Sequence, residues 1–110
     1  MYEAFNRRDI DGVLGAMAVD VDWPRAFQGD RVVGHEQVRD YWTRQWSEIS
    51  PTVTPVSFRH RSAETIAVKV HQVVRDLEET IVDDGHVFHV YAFDGQLVKR
   101  MDVEALDQPA

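Results

Sequence analysis

The chain has 110 residues, 44% of them hydrophobic and 28% charged, with 12 Lys and Arg against 19 Asp and Glu for a formal net charge of -7. That length supports a single domain over residues 1–110. No apolar run approaches the roughly 20 residues of a membrane helix, and the acidic balance opposes binding to phosphate backbones or anionic lipid, so neither nucleic acid nor membrane is an expected partner. Without cysteine there is no disulfide framework, thiolate metal site or thiol nucleophile. The start, Met1-Tyr-Glu-Ala-Phe-Asn-Arg-Arg, lacks the apolar core of a secretory signal. A cytoplasmic location is expected.

Tyr2 and Phe5 lie three apart, as on the last turns of a helix, and Asn6-Arg7-Arg8 reads as a helix break. Asp9 can then cap a short amphipathic helix carrying Ile10, Val13, Leu14 and Met17 on one side. Val19 to Trp23 alternates apolar with acidic residues and predicts a strand ended by Pro24, with a loop over 25–33. From Gly34 to Ile49 an apolar stripe of Val38, Tyr41, Trp42, Trp46 and Ile49 predicts the longest helix. Ser50-Pro51 and Pro55 punctuate the chain. Period-two patterns then predict strands over 53–60, 64–75, 80–93 and 96–104, followed by a polar tail from Asp107. Helices gathered ahead of strands predict an α+β fold with an antiparallel sheet.

The last hairpin carries most of the chemical information. Asp94-Gly95 suits the two central positions of a type I′ turn. That turn pairs Phe93 with Gln96, Tyr91 with Val98, His89 with Arg100 and Val87 with Asp102. Tyr91, His89, Arg100 and Asp102 would then share one face. Phe88, Val90, Ala92, Leu97, Met101 and Val103 would share the other. Such a sheet expects helices on one side and a partner subunit on the other, and the sequence leaves open which is which.

Val87-Phe-His89-Val-Tyr91-Ala-Phe-Asp-Gly-Gln-Leu-Val-Lys-Arg-Met-Asp102-Val resembles the terminal hairpin of the nuclear transport factor 2-like superfamily, nearest its SnoaL-like and ketosteroid-isomerase-like branches. Phe5 to Gly12 is similar to that family's first helix break, and Gly34 to Trp42 to the start of its third helix. The resemblance spans nearly the whole chain. It implies a cone-like barrel of strongly curved sheet around N-terminal helices, enclosing a pocket, and a homodimer formed through the outer sheet face. Because the family hosts isomerases, cyclases, dehydratases and members without assigned catalysis, it specifies fold better than reaction.

Aligned on the hairpin, His89 falls where ketosteroid isomerases place a pocket aspartate, which turns its face inward. His89 would donate or shuttle a proton, Asp102 would fix its tautomer, and Arg100 would bind an anionic group. The competing reading makes Arg100 and Asp102 an ordinary ion pair and His89 a satisfied polar residue in a binding cavity. The isomerase's general base is replaced by Trp23, a candidate pocket wall, and its oxyanion tyrosine falls on Met1, one residue from Tyr2 and about 100° away around a helix. Trp42, Tyr41 and Tyr91 are ligand-contact candidates, whereas Trp46 suits core packing. The spacing of the histidines argues against a metal site, and no glycine-rich phosphate loop implies a cofactor. The expected function is binding of a small, mainly apolar carbonyl metabolite with acid–base proton transfer of isomerase, cyclase or dehydratase type. The alternative is a non-catalytic ligand-binding or dimerisation module.

Overall fold

The computed structural model describes residues 1–25 and 29–105, so the expected tail from Asp107 lies outside the described residues. Two short helices, α1 (Tyr2–Asn6) and α2 (Ile10–Leu14), precede β1 (Met17–Arg25) and β2 (Asp30–Val33). Then follow α3 (His35–Trp46), β3 (Ile49–His60), β4 (Thr65–Asp76), β5 (Ile81–Asp94) and β6 (Leu97–Ala105). The described strands form one curved, unclosed sheet in the order β2-β1-β6-β5-β4-β3, antiparallel except where β1 meets β6. No described helix is long and apolar enough to cross a membrane.

The helix break follows from capping. Asp9 accepts from Gly12 N at 3.0 Å and so starts α2, while Arg8 takes a left-handed φ of 63° between the two helices. Asn6 then behaves as a piece of strand: its Nδ2 donates to Val53 O at 2.8 Å and its Oδ1 accepts from Val53 N at 2.9 Å. This clamp fixes α1 against β3. Gly34, at φ 88°, caps α3, whose buried Val38 and Trp42 face the sheet.

Several expected boundaries move. β1 runs through Pro24 to Arg25, because its ladder to β6 has ended at Asp22↔Arg100 and a residue without N–H costs nothing there. The expected loop is therefore a hairpin, with Asp30–Val33 paired back onto β1. Val19 is 80% exposed rather than half-buried, since the register between β1 and β6 shifts between Met17 and Asp22. α3 stops at Trp46, and Ile49, Pro51 and Pro55 all belong to β3, an edge strand that tolerates proline.

The hairpin register is the consequential correction. The turn is Gly95-Gln96, with Asp94 opposite Leu97. Glycine first and a following residue without positive φ match a type II′ turn, which spares Asp94 the left-handed conformation a type I′ turn would demand. Moving the turn by one residue preserves the faces. Lys99, however, is an extra residue between Phe93↔Val98 and Ala92↔Arg100, and one extra residue inverts every side chain beyond it. Met101 and Val103 therefore share the concave face with Tyr91 and His89, while Arg100, Asp102 and Glu104 share the convex face with Ala92, Val90 and Phe88.

Candidate functional site

Helices α1 and α3 and strand β1 close over the concave face around a cavity of about 280 Å³, whose walls include Trp23, Tyr41, Trp42, Val87, His89 and Tyr91. Aromatic edges define its shape. Trp23 and Trp42 meet edge to face at 5.6 Å, Phe5 meets Trp42 at 5.5 Å, and Trp23 lies 6.3 Å from Tyr91. Trp46 stacks on Trp42 at 5.7 Å and packs against the core.

The polar centre is a cluster of His89, Tyr91 and Tyr2. His89 is 8% exposed. Tyr91 Oη donates to Tyr2 Oη at 2.7 Å, and Tyr2 Oη lies 3.1 Å from His89 Nδ1, stacked on the ring with centroids 5.9 Å apart. Since the Tyr2 oxygen accepts from Tyr91, its own proton is free for Nδ1, and a neutral His89 then carries its proton on Nε2. That nitrogen has no protein partner among the described residues. Burial pushes the His89 pKa down to about 4. Burial, outweighing the hydrogen bond from Tyr91, raises that of Tyr2 to about 12, and burial raises that of Tyr91 well above the ordinary tyrosine value. At neutral pH all three are uncharged, so the cluster offers an oriented N–H inside an apolar wall.

Arg100 and Asp102 do not belong to it. The Lys99 bulge places both on the convex face, where Arg100 Nε donates to Asp102 Oδ2 at 2.9 Å and Arg100 Nη1 to Asp22 Oδ2 at 3.1 Å. Arg31 completes the network, with Nη1 on Asp102 Oδ1 at 2.9 Å and Nε on Asp22. The hydrogen bonds and charges of these arginines, Arg100 first, lower the Asp102 pKa. Asp22 is therefore a network member and not a pocket base. Tyr2, not Asp102, orients His89: although the alignment put Met1 at the tyrosine position, α1, clamped at Asn6, presents Tyr2 to His89 and Tyr91. Gln45, which lies on the α3 stripe, Asp83, and Gln72, which strand patterning did not single out, are further polar wall residues. His71, on the convex face, contacts Asp84 at 2.6 Å and stacks on His86. No group of three or more metal-ligating side chains occurs among the described residues.

A family model for the SnoaL-like domain matches residues 1–101. The chain belongs to the SnoaL-like family. Among solved structures, this SnoaL-like chain is similar to a nuclear transport factor 2-like protein of unknown function from Burkholderia pseudomallei, at 28% identity and a TM-score of 0.82 over 94% of this chain and 83% of that one. It shares its fold with TerC co-crystallised with polyporic acid (22% identity, TM-score 0.81, 93% and 82% covered). It also shares it with a Mycobacterium tuberculosis protein in complex with estradiol-17β-hemisuccinate (18% identity, TM-score 0.79, 93% and 85% covered). No curated protein matches the sequence.

Proposed function

We propose that this SnoaL-like protein binds a small, mainly apolar carbonyl compound in the cavity, with His89 Nε2–H donating to the carbonyl oxygen. The observation that carries this is the fixed His89: buried, neutral, and held at Nδ1 by Tyr2 so that its free nitrogen is a donor. Two fold neighbours holding small molecules support ligand binding. Calorimetric titration with 1-tetralone and its hydrocarbon counterpart tetralin tests it. Tetralone binds about tenfold tighter, the worth of one hydrogen bond of roughly 1–1.5 kcal/mol, and His89→Phe removes the difference. Equal affinities in the unaltered protein would sink the reading.

A catalytic reading is favoured by Asp83, an acidic residue that lines both the cavity and the vestibule beside it. With His89 polarising the carbonyl, Asp83 takes up a proton from the adjacent carbon, leaving an enolate whose oxygen is held by the His89 hydrogen bond, in an isomerase- or cyclase-type step. In D2O the protein then speeds deuterium uptake at C2 of 1-tetralone, and Asp83→Asn slows it to the uncatalysed rate. Uptake unaffected by the protein leaves the binding role alone. We also assign the dimer contact to the convex face around Val90, and a cytoplasmic location, with which the absence of cysteine agrees.

A further inference from the structure

The cavity is flanked by two open spaces of different character. At one end Tyr41, Gln45 and Asp83 also border a vestibule of about 640 Å³, whose rim carries Arg25, Asp40, Arg44 and Glu48. At the other end Met1, Tyr2 and Tyr91 also border a groove of about 540 Å³. Its floor is Pro55, Val56, Phe58, Ile66, Val68 and Phe93. Phe58 is 70% and Val56 55% exposed there, on a stretch of concave face that no helix among the described residues covers. The wall between cavity and groove is thus a layer of three side chains, two of them members of the His89 cluster.

Size sets the rest. At about 280 Å³ the cavity falls just below the range of roughly 300–1,000 Å³ typical of small-molecule sites, so a ligand larger than one or two rings extends into one of these spaces. The vestibule mixes Val32, Ile49, Val74 and Val82 with its charged groups, so an apolar extension is more completely desolvated in the groove, whose lining is nearly all apolar. Resting on the reading that the cavity binds a small molecule, we infer that the ligand is amphipathic along its length: a ring carrying the oxygen function at His89, and an apolar arm of several carbons passing Tyr2 into the groove of Val56, Phe58, Ile66 and Val68. Val56 and Phe58 therefore set the preferred arm length.

The probes are 4-ethyl-, 4-butyl- and 4-hexylphenol, titrated calorimetrically into the full chain at neutral pH. The Kd falls roughly fourfold per added methylene, the value for burying one CH2. In the V56D/F58D double variant, made at two exposed positions, the gain per methylene vanishes. A second measurement avoids mutation: 5-(4-hydroxyphenyl)pentanoate, which ends in a carboxylate, binds more weakly than 4-butylphenol. A Kd independent of arm length with 4-ethylphenol still bound, a gain that survives in V56D/F58D, or a carboxylate tail that binds as well would each overturn the inference and leave the cavity's own role standing. Failure of every phenol to bind would overturn both.

Discussion

His89 owes its usefulness to what surrounds it rather than to its intrinsic acidity. An imidazole in water is half protonated near pH 6.5; burial against Tyr2, Tyr91 and the cavity wall brings that point down to about 4. Between those values the unfolded chain takes up a proton that the folded one refuses. Stability from this residue is therefore complete above pH 6.5 and is lost as the pH falls towards 4, by up to about 3 kcal/mol. Thermal melts across that window show the unaltered protein losing stability more steeply than His89→Gln, which has no such proton to bind. Parallel pH profiles would mean that His89 is solvated. Tyr2 stood outside the sequence-based site because its aim depends on the rotation of a single helical turn, a quantity periodicity does not supply.

At the scale of elements, the hairpin shows where sequence reasoning holds and where it ends. Alternation in β5 and β6 located both strands and the turn to within a residue, because apolar and polar side chains sort by face. The register was out of reach: Lys99 carries no mark distinguishing a bulged residue from an outward-facing one, yet it decides which of two sets of side chains faces the cavity. The same limit hid the β1–β2 hairpin, since Pro24 reads as a terminator until its place beyond the β6 ladder is known. Trp23, Trp42, Tyr41 and Tyr91 were legible as cavity residues because aromatics on a helix stripe and on one strand face converge whatever the hairpin's register. The convex network has its own structural task. Where β1 parts from β6, Arg31 Nη2 donates to Met101 O at 2.6 Å and to Asp22 O at 3.2 Å, satisfying carbonyls across the seam.

The whole molecule presents a convex face with Val90, Phe88 and Ala92 on β5 beside Ala67 and Val73 on β4. Against a second copy this strip would lose its contact with water, with Lys69 and the His71–Asp84 pair at its margin. In sedimentation velocity the protein runs at twice the chain mass, and Val90→Lys returns it to the single-chain value; a single-chain mass for the unaltered protein at 100 µM, roughly the upper end of such measurements, would remove the proposed dimer.

The bonds that assemble the His89 cluster join segments far apart in the sequence: Tyr2 reaches 87 residues along the chain to His89 and 89 to Tyr91. Contacts of such sequence separation are entropically costly to close, and α1 is held in place by its clamp on β3 through Asn6 and Val53. The His89 cluster therefore depends on the docking of α1 against β3, and a chain with that turn undocked would lack the contact that orients the imidazole.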